Sequence, residues 1–309
     1  MTRMIALVAA AGLAAACSGS PVTAVRTQAT GASPGPARSK ASASPQAGRQ
    51  VAKPKIPAGV TAGYVVFDRK TKKIVGQHKP HWTVRSASVV KLLIAIDYLE
   101  KRHGVVAAAD RRAFALMLRS SDDKSATRFW NLGGKGQIVR RMKARLHLTD
   151  SAPPPASLPG YWGYTAISAM DIAKAYRYLL EKADPKVRTA IVGNLRKSTP
   201  CGTDGFDQHF GIPHAFKPPW AVKQGWSGYG NTPPYPCKAT TSALRLQPIS
   251  GPGLGLGRPV LHTTGILGRD DRWIMVILTL EPSGVSYRTS TQRLTTLARS
   301  VFRSAVQGG

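Results

Sequence analysis

Residues 85–91, Arg85-Ser86-Ala87-Ser88-Val89-Val90-Lys91, decide how this chain is read. Apolar residues at 89, 92, 93, 96 and 99 recur at helical spacing, so a helix is expected over 88–102. Ser88 and Lys91, three residues apart, then share a face. A serine hydroxyl is a poor nucleophile until a base takes its proton. An amine one turn away can be that base if burial and nearby cations lower its pKa. The helix start favours negative charge developing near Ser88. The pair alone is a weak signal. Ser-x-x-Lys recurs at Ser121–Lys124, and a serine opening a helix is more often a cap.

Two later triads change its weight. Ser121-Asp122-Asp123 offers a second proton-handling hydroxyl, and Lys223-Gln224-Gly225 offers a cation for a substrate carboxylate. Standing alone, Ser121 would read as a capping serine and Lys223 as an exposed strand lysine. The segments between them give the architecture. Runs 61–70 and 73–78 read as a hairpin turning through Lys70-Thr71-Lys72. Helices are expected over 111–119, 124–130, 136–145 and 167–182, the last with Ser168 as its cap. Residues 151–160 (SAPPPASLPG) read as loop, and Pro and Gly crowd 198–237. Strands are expected over 259–267 and 272–280, then a closing helix over 289–305. Strands at both ends with helices between them predict an α+β fold: one antiparallel sheet built from both termini, with a helical lobe inserted.

With these segments in order, residues 60–305 resemble the class A β-lactamase and D-Ala-D-Ala peptidase superfamily of serine hydrolases. The resemblance rests on residues 85–91, on Leu118-Arg119-Ser120-Ser121-Asp122-Asp123, and on Trp220-Ala221-Val222-Lys223-Gln224-Gly225-Trp226. His262-Thr263-Thr264-Gly265-Ile266-Leu267 and the strand after it look like the family's last strands. Tyr164-Thr165-Ala166-Ile167-Ser168-Ala169-Met170-Asp171 looks like the helix opening after its omega loop. The resemblance implies a β-lactamase/transpeptidase-like fold and a penicillin-recognising chemistry without cofactor or metal. Ser88 would be the nucleophile, Lys91 its general base and Ser121 the relay to the leaving group. Lys223, Gln224, Gly225, Asp123 and Ser227 would bind substrate, and the N–H groups of Ser88 and Ser227 would form the oxyanion hole.

Three departures bear on turnover. Asp123 stands where the family has asparagine, so an ionised side chain there only accepts hydrogen bonds. Gln224 replaces threonine or serine. The chain has three glutamates, Glu100, Glu181 and Glu281, and none precedes Thr165 in the loop that carries the family's deacylating glutamate. Asp150 is the acid near that loop, with shorter reach, and reads more simply as a solvated or helix-terminal residue. The expectation is an envelope serine hydrolase or acyltransferase with an acyl-Ser88 intermediate, acting on peptidoglycan-related peptides or small esters and amides. Turnover of β-lactams should be slow or absent. The alternatives are a catalytically inactive cell-wall-binding lipoprotein on the same fold, and a β-lactamase using Asp150. His262, on a strand beside the presumed cleft, is read as a packing or hydrogen-bonding residue.

The chain carries 44 Lys and Arg against 15 Asp and Glu in 309 residues, a formal +29. Nucleic acid, anionic lipid and anionic cell-wall polymer would all be attracted. The N-terminus chooses among them. Arg3 precedes an apolar run over 4–16, short of the about 20 residues that span a bilayer. The run ends in Leu13-Ala14-Ala15-Ala16-Cys17, which resembles a bacterial lipobox with its leucine one place further out. Residues 1–17 are therefore expected to be a lipoprotein signal peptide, with Cys17 lipidated and holding the chain to the membrane. Cleavage without an anchor, or a retained segment, are the other readings. Export to the outer face of the cell membrane, or secretion, follows. Cell-wall peptide or anionic envelope polymer is then the expected partner, not nucleic acid, although a solvated basic surface accounts for the charge as well. Residues 18–55, rich in Ser, Ala and Pro, read as a disordered tether, and 56–309 as the folded, monomeric domain. In an oxidising exterior Cys201 and Cys237 are expected to form a disulfide, with two buried thiols as the alternative.

Overall fold

The computed structural model describes residues 53–233, 237 and 254–307. Cys17 with the expected signal segment, and the expected tether up to residue 52, lie outside them. The described chain opens with β1 (Thr61–Asp68) and β2 (Lys73–His78), paired antiparallel as a hairpin. A short β3 (Val84–Arg85) leads into one 3₁₀ turn, Ala87–Val90, and then α1 (Lys91–Glu100). Every residue from Lys91 to Leu99 is buried, so α1 is the central helix of the lobe and has no polar face. The helices α2 (Arg111–Arg119), α3 (Asp123–Leu132) and α4 (Gln137–Leu146) pack around it, each with one buried stripe. After the loop, β4 (Ala166–Ile167) pairs with β3. Ser168 then caps α5 (Ala169–Glu181), its side chain accepting from the Asp171 N–H.

The next helix, α6 (Pro185–Leu195), was not expected from the sequence. Asp184 caps it and Pro185 occupies its first turn, both ordinary start signals. It buries Val187, Ile191, Val192 and Leu195, which recur at helical spacing. A short α7 (Ile212–Ala215) precedes β5 (Trp220–Ser227), β6 (Val260–Leu267) and β7 (Trp273–Leu280), and α8 (Tyr287–Gln307) ends the described chain.

The five long strands form one antiparallel sheet in the order β2-β1-β7-β6-β5. Strand β1 lies directly against β7, so both ends of the domain build the sheet and the helical lobe is inserted between them, as the sequence predicts. Side chains alternate across it. Val65, Phe67, Ile274, Val276 and Leu278 enter the core shared with the lobe. Tyr64, Val66, Met275 and Ile277 pack against Leu294, Leu297, Ala298 and Val301 of α8. Because helices cover both faces, residues 273–280 are apolar almost without interruption.

Candidate active site

Ser88 lies on the 3₁₀ turn, one turn before α1 begins, and not inside an α-helix as the spacing suggested. The pairing survives because residues three apart eclipse one another in a 3₁₀ turn. Lys91 is fully buried. Its Nζ donates to Ser88 Oγ at 2.7 Å, to the Ser121 carbonyl at 2.5 Å and to Asp123 Oδ1 at 2.6 Å. The Trp162 indole covers it, with Nζ 4.6 Å from a ring centroid. Ala87, just before the nucleophile, has φ +44°, and Ser121 has φ +54°. Neither is glycine, so the backbone is left-handed, at a steric cost, at two residues of the site.

The second motif joins α2 to α3. Asp122, not Ser121, caps α3, accepting from the Ser125 N–H at 2.7 Å. The Ser121 hydroxyl is thus not consumed by capping and accepts a hydrogen bond from Lys223 Nζ. Ser121 therefore ties both lysines together, one through its carbonyl and one through its hydroxyl. Asp123, in the first turn of α3, is partly exposed and ion-paired to Lys91.

The third motif lies on β5, whose free edge runs along the 3₁₀ turn. A Cβ on Gly225 would sit 3.0 Å from both the Ser86 carbonyl oxygen and Val89 Cγ2. Gly225 thus lets the strand close on the nucleophile's turn. Lys223 is 1% exposed. Burial and then the Lys91 charge hold its pKa well below the usual lysine value, while Asp123 and Asp204 oppose them. Gln224 turns inward. Its amide faces the interior, donating to the Phe210 carbonyl at 2.5 Å and accepting from the Thr264 N–H at 3.3 Å. Binding a substrate carboxylate would require breaking both bonds, because neighbouring residues of a strand face opposite sides.

The cleft itself is lined by Ser88, Asp123 and Ser227, together with Trp162, Tyr164, Trp226 and Asp204. The sequence reading assigned no role to the last four. Asp204 Oδ1 accepts from the Phe206 N–H at 3.1 Å and Oδ2 from Trp226 Nε1 at 2.9 Å. Burial, then the Asp123 charge, raises its pKa against these bonds and the Lys91 charge. The one available signal was rarity: few of the chain's 15 acids follow a cysteine in a Gly-rich stretch, Cys201-Gly202-Thr203-Asp204-Gly205. Cys201 and Cys237 are disulfide-bonded, which fixes the start of this stretch.

Asp150 does not line the cleft. It accepts from Ser168 Oγ at 2.6 Å and meets His81 Nδ1 at 2.9 Å. Burial alone would raise its pKa, but the bonds from Ser168, His81 and Thr149 bring it below the usual value. Where the loop passes the nucleophile it presents an indole, Trp162, and no carboxylate. His262 is fully buried behind β5, its Nε2 2.9 Å from the Arg85 carbonyl and its Nδ1 accepting from the Thr279 N–H. Arg85, also buried, spends its guanidinium on the carbonyls of Gly255 and Arg258, and burial lowers its pKa to about 10.

Known proteins agree with this geometry at the level of fold. A β-lactamase from Sphaerobacter thermophilus superposes with a TM-score of 0.56 at 17% identity, covering 80% of this chain and 92% of that one. The class A β-lactamase from Mycobacterium abscessus gives 0.56 at 14% identity, covering 80% and 94%. The structure of PBP-A gives 0.56 at 11% identity, covering 80% and 91%. At such identities these matches establish a β-lactamase/transpeptidase-like fold and nothing about activity. No family model matches the chain. The LppW proteins of Mycobacterium tuberculosis and Mycobacterium bovis, lipoproteins by name, are 34% identical over 261 residues. The match covers 82% of this chain and 73% of theirs. On that identity and coverage, the chain belongs to the LppW family.

Proposed function

We propose that this protein is an envelope serine hydrolase or acyltransferase of the penicillin-recognising type, working through an acyl-Ser88 intermediate. The observation that carries the reading is the convergence of Ser88, Lys91, Ser121 and Lys223 through hydrogen bonds at one cleft. As a free amine, Lys91 Nζ stands 2.7 Å from Ser88 Oγ, within reach of the serine proton. That amine takes the serine proton as Oγ attacks the acyl carbon. Charge on the carbonyl oxygen falls to the N–H groups of Ser88 and Ser227, both on the cleft wall. Because Lys223 donates to Ser121 Oγ, the serine's own proton is free to reach the leaving group. Release of the acyl group lacks a base on the loop side, where Trp162 stands, so slow hydrolysis or transfer is expected and β-lactam turnover is slow or absent. Peptidoglycan-related peptides, or small esters and amides, are the proposed substrates.

The relatives' name as lipoproteins supports placing the chain on the outer face of the cell membrane through a lipid on Cys17. No described helix is long and apolar enough to cross a membrane. The test is intact-protein mass spectrometry with a β-lactam and a fluorophosphonate. A covalent adduct that disappears in Ser88→Ala is expected, and failure of every probe to label the protein would refute the reading. One observation favours the second reading, a catalytically idle wall-binding module: Trp162 occupies the space over Lys91 without supplying a base. Wall binding that survives Ser88→Ala, with no adduct, would establish it.

A further inference from the structure

Resting on the acyl-Ser88 reading, we infer that Asp204 sets substrate specificity, turning the cleft against a carboxylate beside the scissile bond and toward an ammonium. The three groups expected or available to anchor a carboxylate are all withdrawn. Gln224 bonds inward to Phe210 and Thr264. Lys223 lies buried beneath the cleft with its Nζ on Ser121. Arg85 is sealed behind the 3₁₀ turn by the carbonyls of Gly255 and Arg258.

What faces the cleft instead is the Asp204 carboxylate. Two bonds hold it in place, one from the backbone of Phe206 and one from Trp226 of the Lys223 strand. Asp204 shares the cleft wall with Ser88 and is tied to Trp226, on the strand that carries Lys223. Among the described residues it has no ion-pair partner, whereas Asp123, the other acid on the wall, is matched by Lys91. An arriving ammonium would provide that missing partner, with Trp162 and Trp226 lining the same cleft. A carboxylate would meet repulsion and find no exposed cation among the described residues that line the cleft. Burial and the Asp123 charge already raise the Asp204 pKa, as expected for a carboxylate awaiting a counter-charge. Exclusion by a like charge is a common source of specificity. It matters here because the chain's overall charge of +29 would otherwise draw anions to every part of the surface.

The experiment uses three matched activated esters with one acyl group and a leaving group bearing an ammonium, no charge or a carboxylate. The second-order rate of Ser88 labelling is read by mass spectrometry. The wild-type protein should label faster with the ammonium ester than with the carboxylate ester by about tenfold or more. Asp204→Asn should shrink that ratio by about tenfold, chiefly through the concentration dependence, with less change in the limiting rate. Should Asp204→Asn fail to fold, Asp204→Ser gives a second readout, because it removes the same charge with a smaller side chain and should shrink the ratio likewise. A preference for the carboxylate ester, or a ratio unchanged by both Asp204 variants, overturns the inference while leaving the acyl-Ser88 reading intact. Absence of Ser88 labelling by any ester removes both.

Discussion

Ser121 does two jobs with one residue, and its left-handed backbone is what allows it. At φ +54° the carbonyl turns to Lys91 while the hydroxyl turns to Lys223. Ser121→Ala keeps the first contact and removes the second. Labelling of Ser88 should slow by about 10²–10⁴, the usual range for losing a proton-transfer group. The adduct mass should be unchanged, and a variant labelling as fast as wild type would remove Ser121 from the mechanism. His262 gives a prediction about stability. Burial lowers its pKa to about 4, against an unfolded value of about 6.5. The unfolded chain therefore binds a proton that the folded one refuses, so stability is complete above about pH 6.5 and is lost as pH falls toward 4. The loss from this residue alone is about 3 kcal/mol. His262→Gln should be less stable at pH 7 yet lose less between pH 7 and 4.5, as read from urea midpoints. A variant with the wild-type slope would show that His262 does not control it. At this scale the motif serines and lysines were legible from their order along the chain. The inward turn of Gln224 was not, because it depends on Phe210 and Thr264, which only the fold brings near.

Among the elements, the contact of β5 with the Ala87–Val90 turn assembles the site. Gly225 lies in that contact: a Cβ added there would sit 3.0 Å from the Ser86 carbonyl oxygen and from Val89 Cγ2. Gly225→Ala must push the strand away from Ser86 and Val89, or displace the turn, and either moves Ser88 relative to Lys223. A stability loss of about 1–3 kcal/mol is expected, as for other overpacked cores. The fall in Ser88 labelling should be larger than that destabilisation explains under conditions where the variant is fully folded. Equal losses in both would mean that the contact serves folding alone. Most elements could be read from the chain because apolar period and cap agreed, as at Ser168 before α5. Helix α6 escaped although Val187, Ile191, Val192 and Leu195 recur at helical spacing and Asp184-Pro185 marks its start. The 3₁₀ turn escaped because periodicity cannot separate it from the first turn of an α-helix. Asp204 escaped because its role comes from tertiary neighbours, Trp226 and Asp123, far from it in sequence.

For the whole molecule, the disulfide and the charge govern behaviour outside the cleft. The Cys201–Cys237 bond spans 36 residues that include β5 and both its motif lysine and Gly225. Closing a loop of that length stabilises the folded state by about 4 kcal/mol in the chain-entropy picture. Reduction should therefore lower the thermal midpoint, and Ser88 labelling should fall with it, since the same loop carries Asp204. The charge acts at longer range. A formal +29 should hold the protein to an anionic wall polymer whether or not Ser88 reacts. Such attraction between exposed charges is screened beyond about 8 Å at physiological ionic strength and beyond about 3 Å at 1 M salt. Sedimentation with purified wall should therefore fall steeply between low and high salt, and equally for wild type and Ser88→Ala. The neutral variant Asp204→Asn should sediment like wild type, since one charge among so many changes the field little. Its labelling ratio should nevertheless change, because that ratio is set a few ångströms from Ser88, where salt screens least. Salt-resistant sedimentation would instead point to a specific wall ligand held in the cleft, and competition by a small cationic ester would then locate it beside Asp204.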